Sequence, residues 1–266
     1  MNLKTPWLLL LLFLVAANGL EAAGWKLVWA DEFNYTGRPD TNKWGYETGF
    51  RRNQESQYYT CARPENARVE DGHLVIECRK ENYTPPTHAP VDYTAASLIT
   101  KNKASWQYGC IEVRAKLPHG KGVWPAIWML GTNDSLVGWP RCGEIDIMEF
   151  VGKAPKGIHG TVHYAIEGEH KSSGSKLETN RPWEDYHIYA LEWTPKRMDF
   201  YFDHHKYHSF AVAKADQGAD NPFRAPQYLI LNFALGGDWG GPIDDTILPQ
   251  QFLIDYVRVY QSAEHK

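Results

Sequence analysis

Apolar and polar residues alternate along this chain with the period of β-strands. The cleanest run is 108–117, where Ile111, Val113, Ala115 and Leu117 fall on one face and Glu112, Arg114 and Lys116 on the other. A period of two is that of a half-buried strand, because successive side chains point to opposite sides of the sheet. Comparable runs occupy 73–80, 158–165, 187–193, 198–202, 228–235 and 252–260, separated by Gly, Pro, Asn and Asp. The step Asp203-His204-His205-Lys206 reads as a hairpin turn, and Asp71-Gly72 turns the chain into 73–80. No stretch of ten or more residues carries a helical period. The pattern predicts an all-β chain of two packed antiparallel sheets, with no repeat and no linker to divide residues 24–266. The polar segment 167–181 (EGEHKSSGSKLETNR) is expected to be a mobile surface loop.

The first 23 residues break this pattern. Lys4 precedes an apolar stretch at 8–17, and small residues follow through Gly24. This is the layout of an export signal, and it is shorter than the roughly 20 apolar residues of a bilayer span. Cleavage is expected between Gly19 and Gly24, giving a secreted protein, extracellular or periplasmic, with no membrane attachment afterwards. Lys and Arg number 28 against 32 Asp and Glu, a net charge of -4, so no basic field favours nucleic acid or a membrane surface. A monomer is expected.

Export permits disulfides, and four Cys allow three full pairings. Cys78 shares a face with Leu74 and Ile76, whereas Cys110 shares one with Glu112 and Arg114, which argues against a bond between them. Cys142 has the parity of Glu144 and Asp146 and is expected to be a thiol near them. The 11 Trp and 15 Tyr offer flat apolar faces on which a pyranose ring can stack.

The chemistry concentrates at 144–149 (EIDIME), where three carboxylates sit inside an otherwise apolar strand. Acidic residues are disfavoured in strands, and three together repel one another unless that repulsion is used. Glu144 and Asp146 share a face by parity. Glu149 is three residues beyond Asp146 and would face the core unless a β-bulge around Ile147-Met148 absorbs one residue, with Met148 as the bulge residue. Two carboxyl groups about 5–5.5 Å apart on one wall of a groove are the equipment of a retaining glycosidase, and a carboxyl between them can hold their pKa values apart.

The segment 144–149 resembles the bulged E-x-D-x-x-E strand of glycoside hydrolase family 16. The resemblance extends over 29–33, 53–60, 65–80, 108–117, 124–130, 159–164, 191–194, 229–237 and 255–260. It implies a β-jelly-roll sandwich with a substrate cleft, Glu144 as nucleophile, Glu149 as general acid/base and Asp146 as the assisting carboxylate. The bulged form, with the Trp124-Pro125 and Trp139-Pro140 segments, is most similar to the endo-β-1,3-glucanases (laminarinases), which implies a β-glucan polysaccharide as substrate. Agarases and carrageenases share the bulge. Trp124, Trp128 and Trp139 are expected as stacking platforms, with Trp124 and Trp139 favoured for the cleft. Asn53, Glu55 and Gln57 resemble the family's polar cleft rim, and His159 and His163 its cleft residues beside the catalytic strand. His163 is expected to bond substrate or Asp146, and His204, His205 and His208 to form a solvated hairpin. No cofactor is expected for catalysis. The resemblance does imply one structural Ca2+ away from the cleft, held by backbone carbonyls of Glu32 and Gly72 and the side chain of Asp255.

Overall fold

The computed structural model describes residues 24–218 and 220–262; the predicted leader lies outside them. The strands in chain order are β1 (Trp25–Asp31), β2 (Gly45–Glu47), β3 (Tyr58–Tyr59), β4 (Ala67–Glu70), β5 (His73–Tyr83), β6 (Val91–Ala95), β7 (Ser97–Ile99), β8 (Gly109–Lys116) and β9 (Val123–Gly131). The one-turn helix α1 (Asp134–Val137) leads into β10 (Glu144–Glu149), β11 (Gly157–Ile166), β12 (Glu169–Glu178), β13 (His187–Trp193), β14 (Arg197–Phe202), β15 (His205–Ala211) and β16 (Gln227–Leu235). A second short helix, α2 (Gly237–Gly240), precedes β17 (Gln250–Ser262).

These strands form the jelly-roll sandwich. One sheet runs β15-β14-β13-β8-β17-β5-β6-β3, with β1 added to β17 and β4 to β5; the other runs β12-β11-β10-β9-β16-β7-β2. Strand β17 is long enough to pair with three neighbours, meeting β5 near its start, β8 through its middle and β1 at its end. The alternation seen in the sequence is the packing. Ile111, Val113 and Ala115 of β8 meet Ile145, Ile147 and Met148 of β10 in one interior cluster. Each such Val, Ile or Met side chain contributes about 1.5–3 kcal/mol by leaving water.

The segment expected to be a mobile loop is a strand instead. Glu167 and Gly168, with φ of 52° and 82°, reverse the chain, and β12 then pairs with β11 along all ten of its residues. It escaped notice because an edge strand beside solvent needs backbone bonds but no apolar stripe, and β12 buries no residue. His208, expected in a solvated hairpin, is half-buried. Its ring nitrogens lie 3.1 Å from Ser175 Oγ and 3.2 Å from the Ser173 carbonyl, tying β12 to β15 of the other sheet.

All four cysteines are free thiols. Cys78 lies in the interior cluster with Leu74 and Ile76. Among the described residues no helix is long and apolar enough to cross a membrane.

Candidate active site

Alternation on β9 places Trp124, Ala126, Trp128 and Leu130 along a cleft of about 350 Å3. Neighbouring β10 adds Glu144, Asp146 and Glu149, and β16 adds Asn232. Arg52, Asn53 and Glu55 come from the segment before β3, and Trp139 from the turn between α1 and β10. All three predicted tryptophans therefore line the cleft, Trp128 included, as do Asn53 and Glu55. Cys142 does not: it is buried outside the lining, and its thiol is pushed up to about 11 by burial. The turn through Gly143, with φ of 75°, interrupts the strand parity that had placed it with Glu144.

The bulge lies where parity requires it. Against β9, Asp146 pairs with Trp128, Met148 with Ile127 and Glu149 with Ala126; against β11, Asp146 pairs with Thr161 and Glu149 with His159. The residue left over beside β9 is Ile147, not Met148 as expected, because Met148 has already recovered the register. Parity fixes the interval in which the extra residue falls but not which of the two it is. Both side chains are buried in the core, and Glu149 returns to the cleft. The Tyr207 hydroxyl of β15 donates to the Ile147 carbonyl at 3.3 Å, reaching it from the opposite sheet. Gly160 makes room for this hydroxyl, since a Cβ there would lie 2.4 Å from it.

Burial dominates the electrostatics of the three carboxyl groups. It pushes Glu144 up to about 8, with the Asp146 charge adding to the effect, and Glu149 up to about 7. Burial, and then the Glu149 charge, also raises Asp146 well above the usual carboxylate range. Three acids this close titrate as a unit, so the cluster keeps a proton near neutral pH. One carboxyl group can then donate a proton while another attacks as a carboxylate. Trp124 Nε1 donates to Glu149 Oε1 at 3.0 Å. His163 lies outside the lining but behind it, its Nε2 3.2 Å from Asp146 Oδ2 and 4.0 Å from Glu144 Oε1.

A hydrogen-bonded frame holds the other wall. Glu55 Oε2 accepts from Gln57 Nε2 at 2.8 Å and from the Tyr59 hydroxyl at 3.0 Å, and Asn53 Nδ2 donates to Glu55 Oε1 at 3.3 Å. Asn232 Nδ2 donates to that Tyr59 hydroxyl at 2.9 Å, and Asn232 Oδ1 accepts from Trp128 Nε1 at 2.7 Å. Arg52, ion-paired with Glu47, lies 4.9 Å above the Trp128 ring. Neither Arg52 nor Asn232 was expected. Asn232 had a signal, a single amide in the apolar run 228–235; Arg52 had none. Trp239 of α2 also went unnoticed; it packs edge-on against both Trp124 and His159, with centroids at 5.4 and 4.9 Å.

The three residues expected at a calcium ion converge on the ten-stranded sheet. The end of β1, the β4–β5 turn and β17 meet there, with Asp31 in register with Val257 and Leu74 with Ile254. The Glu32 carboxylate is held by Arg258 at 2.8 Å through both oxygens, leaving its backbone carbonyl to serve. Asp255 Oδ2 accepts from Arg114, while Oδ1 has His73 Nε2 3.8 Å away, so one carboxylate oxygen is available. Hard oxygens from three segments fit calcium chemistry.

The model of the glycosyl hydrolases family 16 matches residues 54–258. A β-glucanase of Rhodothermus marinus is 46% identical over 258 residues, spanning 92% of this chain and 88% of that protein. The fold superposes on a mutant of SCLam, a non-specific endo-β-1,3(4)-glucanase co-crystallised with 1,3-β-D-cellotriosyl-glucose, with a TM-score of 0.83 and 47% identity over 90% of this chain and 95% of that one. The laminarinase structure from Rhodothermus marinus gives a TM-score of 0.81 at 44% identity, over 90% and 98% of the two chains.

Proposed function

Since this chain belongs to glycosyl hydrolases family 16, in its laminarinase-like branch, we propose that it is an endo-acting hydrolase of β-1,3 and mixed β-1,3/1,4 glucans working by double displacement. One observation carries the reading. Three carboxyl groups on one strand project into a tryptophan-lined cleft, and among the described residues no Lys or Arg bonds to any of them. Glu144 attacks the anomeric carbon while Glu149 protonates the departing glycosidic oxygen, forming a glycosyl-enzyme. Glu149 then takes a proton from water, whose oxygen displaces Glu144 with overall retention. Asp146, between them, shares the cluster's proton. Trp124, Trp128 and Trp139 supply ring faces, and Asn53 with Glu55 a polar rim.

The test is a product profile on laminarin, lichenan, agarose and carrageenan, with NMR of the first product. Oligosaccharides released from laminarin and lichenan with retained anomeric configuration are expected. Cleavage of agarose or carrageenan instead would overturn the substrate, and net inversion the mechanism.

The apolar stretch at 8–17 supports export. The convergence of Glu32, Gly72 and Asp255 supports a calcium ion that stabilises the fold by binding only the native state. Chelation is expected to lower Tm without moving the pH optimum. Loss of activity while the chelated protein is still folded would reassign the ion to catalysis.

A further inference from the structure

The catalytic cluster is connected to the edge strand β12 through two histidine rings. His163 Nδ1 lies 2.9 Å from His170 Nε2, the rings stack at 5.1 Å and 18°, and His163 Nε2 lies 3.2 Å from Asp146 Oδ2. His170 in turn packs against Trp139 of the cleft wall, with centroids 4.7 Å apart. The pairing of β11 with β12 produces this contact. Ala165 is in register with His170, so His163 is its diagonal neighbour on the same face.

Among the neutral forms of His163, only one suits an ionised Asp146. Asp146 Oδ2 is buried and has no aligned hydrogen-bond donor among the described residues. His163 with its proton on Nδ1 would turn a lone pair toward that oxygen. With the proton on Nε2 it becomes the donor Oδ2 lacks, after a small rotation of the ring. Nδ1 must then accept, and the group opposite it is His170 Nε2, which must donate. The two histidines form a one-way row of donors aimed at the carboxylate, in which the outer bond decides what the inner nitrogen carries.

We infer that His170 is a positioning residue of this enzyme: by donating to His163 Nδ1 it fixes the tautomer in which His163 Nε2–H stabilises the Asp146 carboxylate. The inference rests on the hydrolase reading for its catalytic consequence, but not for the tautomer itself. The groups facing His163 are Glu144 and Asp146, with the Glu149 charge beyond them, from β10, and His170 from β12. Arg52 acts on Glu144 from across the cleft, and Lys171 acts on His170. Partial burial and the Lys171 charge hold His170 below the usual imidazole value, so it is neutral at neutral pH and has a single N–H to place.

The experiment uses the full chain with 15N-labelled histidine, in wild type, His170→Ala and His170→Gln. His170 is exposed, so the fold should tolerate both changes, and Tm checks this. NMR of the wild type is expected to show His163 protonated on Nε2, and His170→Ala a mixture of tautomers. In kinetics on laminarin, His170→Ala should lose about tenfold in kcat with KM within about twofold, the scale on which outer hydrogen-bond partners of functional histidines act. Its acidic limb should move upward by about half a pH unit, because an ionised cluster that loses a donor is easier to protonate. His170→Gln, which can still donate through its amide, should recover most of both. A wild-type His163 protonated on Nδ1 would overturn the inference, as would a His170→Ala protein with unchanged tautomer, kcat and limb. If the wild type cleaves no glucan, the hydrolase reading fails while the NMR still decides the tautomer.

Discussion

Both sheets bury acids, and β10 treats its acids differently from β5 and β14. On the ten-stranded sheet Asp199 is fully buried yet accepts from Arg197 Nε at 2.6 Å and Ser209 Oγ at 2.5 Å, with Lys206 Nζ at 3.5 Å. Glu77, also buried, accepts from Arg68 at 3.0 Å and Gln251 at 2.9 Å and pairs with Arg79. On β10 the carboxyl groups of Glu144, Asp146 and Glu149 have the indoles of Trp124 and Trp139 and the His163 imidazole beside them but, among the described residues, no bonded Lys or Arg. Desolvating a carboxylate is costly, and the structure offsets that cost with cations at Asp199 and Glu77 and leaves it standing on β10. An uncompensated acid keeps its proton to higher pH, which is what a general acid requires. A fold with no use for these groups would be more stable without them.

The largest expected effect breaks the comparison at its root. Glu144→Ala and Glu149→Ala should each lower kcat by about four orders of magnitude or more, the scale seen when a catalytic residue is removed. Azide should restore turnover of Glu144→Ala and give a product of inverted configuration, since a small anion fits the nucleophile's place. Asp199→Ala should do the opposite, costing about 2 kcal/mol of stability with kcat of the folded protein unchanged. The pH dependence of stability sharpens the contrast. Glu144 and Glu149 titrate near 8 and 7 in the folded protein, above the roughly 4.3 of an unfolded chain. Between those values the native state binds more protons, so these residues make stability fall as pH rises from about 4.5 to 8. Glu144→Gln should therefore raise Tm at pH 8 and leave it nearly unchanged at pH 4. Equal Tm changes at both pH values would show that the carboxyl is not desolvated.

Strand parity made much of this legible. The core face of β8 and the need for a bulge before Glu149 follow from which residues fall on odd and even positions, because one face of a strand that covers the core must be apolar. What parity lacks is information about solvent and about backbone conformation. Strand β12 has no apolar face, so its pairing with β11 left no mark, and His170 went unremarked with it. Gly143 breaks the alternation through a positive φ, so Cys142, a free thiol close enough to feel the Glu144 charge as expected, lies off the cleft face that parity gave it. Arg52 reaches the cleft from an irregular segment, where periodicity has nothing to say.

The next test acts on the bulge as a whole. Deleting Met148 leaves the spacing Glu-Ile-Asp-Ile-Glu, which brings the second Glu to the cleft face without an extra residue. Its carboxyl would stay on the correct side, but the local kink and added twist of the bulge would go. A displacement of about 1 Å at the reacting centre can cost roughly a hundredfold. A folded protein about a hundredfold slower on laminarin is expected, with an altered ratio of laminarin to lichenan rates. Unchanged rates on both substrates would mean that the bulge serves only to set parity.

The smallest effect concerns how the bulge is held. The Ile147 carbonyl belongs to the residue without a partner on β9, and its bond comes from Tyr207 across the sandwich. Tyr207→Phe leaves that carbonyl unsatisfied, which costs about 1 kcal/mol. Because Glu149 follows two residues later, kcat should also fall, by about three- to tenfold, with KM nearly constant. Gly160→Ala attacks the same bond from the other side, since the new Cβ would meet the hydroxyl at 2.4 Å and displace it. If both changes act through one hydrogen bond, the double variant should lose less than the product of the two separate losses, as residues sharing a contact are not additive. Losses that multiply in full would show that Tyr207 and Gly160 affect Glu149 by separate routes, and that the bulge keeps its shape without a support from the opposite sheet.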